Sequence, residues 1–87
     1  MKISKTNAIL LFKKAETVKQ LKKSIKENCT LWFDEDATIS VLEKCFFDAK
    51  KLNVSRTFST FLIDEEPFLI FFDVFPDGTV LLMDKIN

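Results

Sequence analysis

No histidine occurs anywhere in the 87 residues, so both the commonest general base and the commonest metal ligand are missing. The two cysteines, Cys29 and Cys45, stand sixteen residues apart with no CxxC pair, which removes the usual zinc spacings. A disulfide between them is one reading. Buried free thiols in a reducing compartment are the favoured one, because both lie in apolar sequence. A cysteine nucleophile activated by lysine needs an accessible, thiolate-stabilising site, and neither position reads that way.

Carboxylates are the next candidates. They cluster as Asp34-Glu35-Asp36, Asp64-Glu65-Glu66, and Asp73, Asp77 and Asp84. Two carboxyl groups held about 5–9 Å apart are the geometry of glycoside hydrolysis, and carboxylate sets also hold Mg²⁺. Neighbouring residues on a helix start or a turn point in different directions, however, so the clusters read as a helix cap and solvated turns. A single glycine rules out a glycine-rich phosphate loop. No catalytic residue, metal ligand or cofactor-binding residue is assigned, and the chain is not read as an enzyme.

The lysines carry a clearer pattern. Lys19, Lys22, Lys23 and Lys26 recur at i, i+3, i+4 and i+7, which places them on one helical face, with Lys13 and Lys14 extending the row. Such a row can follow a phosphate backbone with salt-dependent affinity, or meet an acidic protein. The simpler reading, and the favoured one, is the solvated face that any amphipathic helix presents. Arginine, the usual reader of guanine edges, occurs once against twelve lysines, and the net charge is zero, so unaided nucleic-acid binding is the weaker expectation. The zero conceals a split. Residues 1–28 carry eight Lys and two Glu, net +6, and residues 29–87 carry five cations and eleven acids, net −6.

The elements that must position these groups follow from periodicity. Thr17-Val18-Lys19-Gln20 has the form of a capping box, and Val18, Leu21 and Ile25 behind it share a helical stripe. Ile9-Leu10-Leu11-Phe12 fits a short buried strand or a helix. Lys13-Lys14-Ala15-Glu16 is good helix and poor turn material, which favours one helix over about 6–28, bent near Thr17. A second helix is expected over about 37–52. Three acids precede it, Ile39, Leu42, Phe46 and Ala49 form its apolar stripe, Lys50 and Lys51 sit in its last turn and Asn53 stops it.

From Ser55 the period becomes two, and 56–63, 68–75 and 79–86 read as antiparallel strands. The stretch Phe75-Pro76-Asp77-Gly78-Thr79 specifies a three-residue turn with glycine in the left-handed position, which sets Val74 opposite Val80. One face then gathers Phe58, Thr60, Leu62, Phe68, Ile70, Phe72, Val74, Val80, Leu82 and Ile86, the expected core. The opposite face gathers Thr57, Ser59, Phe61, Ile63, Leu69, Phe71, Asp73, Phe75, Leu81, Met83 and Lys85. A one-residue slip exchanges the two sets.

That second face is also largely apolar, and two helices cover one side of such a sheet. Either one helix lies on each side and nothing is left over, or an apolar sheet face remains bare, larger than monomers usually tolerate. In the second case Phe61, Leu69, Phe71, Phe75, Leu81 and Met83 are the candidate partner-binding residues. They would meet a second copy in a twofold homodimer or another protein, and an outer strand would be open to a partner's sheet.

Length and composition agree with a single α+β domain over 1–87, two helices followed by a three-stranded meander in two layers, with 47% hydrophobic residues and ten Phe. No run reaches the roughly 18 apolar residues of a membrane span and no signal peptide is apparent, so a cytoplasmic location without membrane contact is expected. No motif identifies a family. The order of helices then meander is shared with many small bacterial and phage proteins, including immunity-type and inhibitor proteins, but that is a likeness of element order alone.

Overall fold

A computed structural model describes the backbone of residues 5–62 and 68–83, and the side chains of 7–62 and 69–83. It is an α+β fold of three helices and a three-stranded antiparallel sheet: α1 Lys5–Lys13, α2 Val18–Glu27, α3 Glu35–Leu52, then β1 Arg56–Leu62, β2 Phe68–Val74 and β3 Val80–Met83. A single 3₁₀ turn, Cys29–Leu31, follows α2.

The expected helix over 6–28 is two helices, not one bent rod. Thr17 is extended at φ −132, ψ 160, and its hydroxyl accepts from the Gln20 amide at 3.2 Å. The Gln20 side chain reaches back to the Glu16 amide at 2.8 Å, one residue earlier than a standard capping box. What separates α1 from α2 is tertiary. Glu16 and Thr17 lie beside the final hairpin, where Thr17 bridges Thr79, Val18 N–H donates to the Gly78 carbonyl at 2.8 Å, and Val80 N–H donates to the Glu16 carbonyl at 2.9 Å. A helix continuing through 14–17 would forfeit all of these.

α3 begins two residues before the expected start. Asp34 caps it by accepting from the Ala37 amide at 3.0 Å, and Glu35 and Asp36 occupy the first turn. It ends at Asn53, whose φ of 55 and ψ of 42 form a left-handed cap. Its buried stripe is Thr38, Leu42 and Ala49, with Ile39 and Phe46 half-buried beside it. Thr38 tolerates burial because its hydroxyl donates to the Asp34 carbonyl at 2.7 Å and meets the Thr60 hydroxyl at 3.0 Å.

In the hairpin, Gly78 has φ +90, Phe75 N–H donates to the Thr79 carbonyl at 2.9 Å, and Val74 pairs with Val80 as the turn chemistry requires. The register continues through Phe72↔Leu82 and Phe58↔Phe72. Phe58, Leu62, Ile70, Phe72, Val74, Val80 and Leu82 are therefore buried, joining Ala8 and Phe12 of α1, Leu21 and Ile25 of α2, and Leu42 of α3 in one cluster. Ile63, the 64–66 acidic turn and residues 84–87 lie outside the described residues, as does the side chain of Phe68.

The outer strands are partly occupied. The 16–17 segment pairs at the start of β3. At the diagonally opposite corner, Trp32 bridges Leu62 and Phe33 N–H donates to the Phe61 carbonyl at 3.3 Å. β1 and β3 are the outer strands as expected, and these crossings narrow the open stretch at two corners without covering the rest of either strand. Trp32 is buried against Phe12, ring centroids 4.9 Å apart, and among the described residues its indole N–H has no acceptor.

Both cysteines are free but not buried as expected: Cys29 is exposed and Cys45 half-buried. Cys29 would fall on the Val18-Leu21-Ile25 stripe had α2 continued. The helix ends at Glu27 and the 3₁₀ turn rotates the side chain outward.

Candidate functional site

Alternation along the strands places a set of large apolar side chains on the sheet face opposite the cluster. Phe61 is 46% exposed, Leu69 37% and Leu81 56%. Phe71, Phe75 and Met83 are half-buried on the same face. Register joins them: Phe61 pairs with Leu69, and Phe71 lies between Ser59 and Met83. Phe33, 74% exposed, extends the patch past β1, its ring 6.3 Å from that of Phe61. The sequence offered no sign of Phe33, because a two-residue pairing with a strand leaves no periodicity.

Polar groups on this face are few. Asp73 accepts a hydrogen bond from the Thr57 hydroxyl, its cross-strand partner, so the charge is already partly satisfied. Asp77 at the hairpin tip accepts from the Thr79 amide at 2.9 Å, and hydrogen bonding by Thr79 holds its carboxyl below the usual range.

The acidic groups thus occupy structural posts: Asp34 at a cap, Asp73 on a strand, Asp77 in a turn. Among the described residues no three His, Cys, Asp or Glu side chains converge as a metal site would require. Partial burial, with the Asp48 carboxylate adding, pushes the Cys45 thiol above its ordinary value despite opposition from Arg56 and Lys44. That direction disfavours the thiolate, the form a nucleophilic cysteine needs.

The lysine row divides. Lys19, Lys22, Lys23 and Lys26 line a groove between α2 and α3, and Lys50 of α3 joins them. Lys13 and Lys14, at the end of α1 and just beyond it, are exposed but lie outside that lining.

Comparison with protein-family models, with curated proteins and with solved structures finds no significant match. Among the described residues no helix is long and apolar enough to cross a membrane.

Proposed function

We propose that this chain is a small non-enzymatic protein-interaction module, two-layered, that self-associates face to face through its bare sheet surface. The observation that carries the reading is the joint exposure of Phe61, Leu69 and Leu81 on the side away from the buried cluster. A second copy suits this surface because, among its described residues, the face carries a single charged side chain. Its one described acid, Asp73, is already hydrogen-bonded, so a twofold axis brings apolar side chains together without requiring an opposite charge. Two sheets so apposed adopt the ordinary sandwich spacing of about 10 Å.

Size sets the strength. Three strands of up to seven residues give a face of about 14 Å by 23 Å. Even with Phe33 added, that is small against the roughly 800 Å² per partner of a standard interface, which places dissociation in the micromolar range or weaker. The same residues on a larger, concave target would act as a stoichiometric inhibitor or immunity-type binder.

Sedimentation velocity from about 1 to 500 μM tests the reading. The expected result is a concentration-dependent dimer that Leu81→Asp or Phe71→Asp abolishes while the folded far-UV spectrum is retained. Leu81 is the cleaner site, being the more exposed. A monomer throughout that range, or a dimer indifferent to both substitutions, overturns it.

A further inference from the structure

A second surface, distinct from the sheet face, lies between α2 and α3. The groove there has a volume of about 1070 Å³ and is closed at one end by Thr17, Asp77 and Gly78. That is at the upper limit of small-molecule sites, which run to about 1,000 Å³ and enclose their ligands, whereas this one runs open along two helices. Its floor is apolar, built from Val18, Phe46 and Phe47, with Phe47 61% exposed. Its rim is basic, with Lys19, Lys23 and Lys26 on α2 and Lys50 on α3. Lys50 Nζ stands 4.2 Å from the centre of the Phe46 ring, and Lys22 is held at 3.2 Å by Glu43, tying the two helices together.

The geometry points to this groove as the docking site for an acidic amphipathic helix of a partner protein. Charge and shape select that occupant together. A helix some 10 Å across lies against two others by ordinary helix-in-groove packing. Its apolar stripe meets Phe46, Phe47 and Val18, and glutamates or aspartates flanking that stripe reach Lys19, Lys23, Lys26 and Lys50. α2 has ten residues, about 15 Å, so the contact spans two to three turns of the guest helix. A nucleic acid fits less well. Five lysines against Glu27, Glu43 and Asp77 leave the lining net positive by two, which suits either anion. But the apolar floor of Val18, Phe46 and Phe47 offers a phosphate backbone nothing, and Arg56, the chain's one arginine, is not part of the lining.

The test is an isotope-edited titration of the full chain with a synthetic helical peptide of about four turns carrying Leu at i, i+3 and i+7 between rows of Glu. A copy with Lys in place of Glu and a single-stranded oligonucleotide serve as further arms. The expected result is saturable binding of the Glu peptide in the micromolar range, with shifts confined to α2, α3 and the hairpin tip. Lys23→Glu with Lys26→Glu should weaken it about tenfold, and Phe47→Ser by at least as much. All three positions are exposed, so the variants keep their fold, which a constant thermal midpoint verifies. Leu81→Asp should leave the peptide affinity unchanged, separating this site from the sheet face. No saturable binding at millimolar Glu peptide, equal binding of the Lys peptide, shifts mapping to the sheet face, or tighter binding of the oligonucleotide overturns the inference.

Discussion

The Val18 amide donates to the Gly78 carbonyl across 2.8 Å, so the first turn of α2 is fastened to the tip of a hairpin sixty residues away in sequence. That one contact connects three things that matter for this protein. With the Thr17–Thr79 bridge and the Val80–Glu16 bond it keeps 14–17 out of the helix, it ties the turn to α2, and its two residues line one end of the α2–α3 groove. Substitutions at the junction should therefore act beyond their own positions.

Gly78→Ala should cost about 1–2 kcal/mol, from holding an L side chain at positive φ. An added Cβ would sit 3.4 Å from the Phe46 ring, so backbone strain rather than collision dominates. Urea unfolding followed through Trp32, the only tryptophan and a buried one, measures it. A change under about 0.5 kcal/mol would mean the turn is not held by glycine's conformational freedom.

Thr17→Ala should cost about 1 kcal/mol through loss of the cap on the Gln20 amide, while Thr17→Ser, which keeps the oxygen, should cost a few tenths. The comparison separates the cap from the extended backbone that pairs with Thr79. Equal losses in the two variants would contradict a hydroxyl-mediated cap.

Asp77 gives a pH dependence of known sign. Its carboxyl is held below the ordinary range by Thr79, so the folded state favours the ionised form. The stability this contributes is complete above the unfolded-state value and disappears as pH falls through the lower folded-state value, that is, below about pH 4. The gap between the parent chain and Asp77→Ala, measured by chemical unfolding at pH 6 and at pH 3, should narrow at the lower pH. A gap that widens there would contradict the assignment.

Neighbouring residues of β2 should behave oppositely. Ile70→Ala, on the buried face, should destabilise the monomer by about 2–5 kcal/mol through lost burial and a cavity. Leu69→Ala, one residue earlier on the open face, should cost less than about 1 kcal/mol when measured at low concentration, where no dimer contributes. Equal costs would mean the open face is covered.

Trp32→Phe pits two terms against each other. It removes an indole N–H that has no acceptor among the described residues, and it shrinks a ring packed edge-on against Phe12. The net change should stay within about 1.5 kcal/mol by circular dichroism, well under the roughly 3–5 kcal/mol expected of Phe12→Ala. A loss from Trp32→Phe as large as from Phe12→Ala would indicate that the indole N–H is bonded after all.

The strands and their faces were legible because Pro76, Asp77 and Gly78 carry turn chemistry that leaves one register, and a period of two does the rest. α3 was legible from its capping acids, its stripe and Asn53. The stop between α1 and α2 was not. Thr17 was recognisable as a cap, but residues 13–16 favour helix locally, and what overrides them is pairing with Thr79 and Val80 far along the chain. The pairing of Trp32 and Phe33 with β1 leaves no mark in the sequence for a related reason, since two residues are too few to show alternation. Of the candidate contacts, the open-face residues follow from the register alone. Lys50 and Phe47 could be joined to the lysine row only once α3 was seen to lie alongside α2.

The two short crossings at opposite corners of the sheet have a further consequence. Ribbon-like growth starts when bare backbone along a margin recruits another chain, and each recruit exposes a fresh margin in turn. Here the margins are fenced in part by the chain's own 16–17 and 32–33 segments, while the flat side is left greasy. If two copies meet through that flat side as proposed, a twofold contact uses the same patch on both and closes on itself, so the pairing would stop at two instead of propagating.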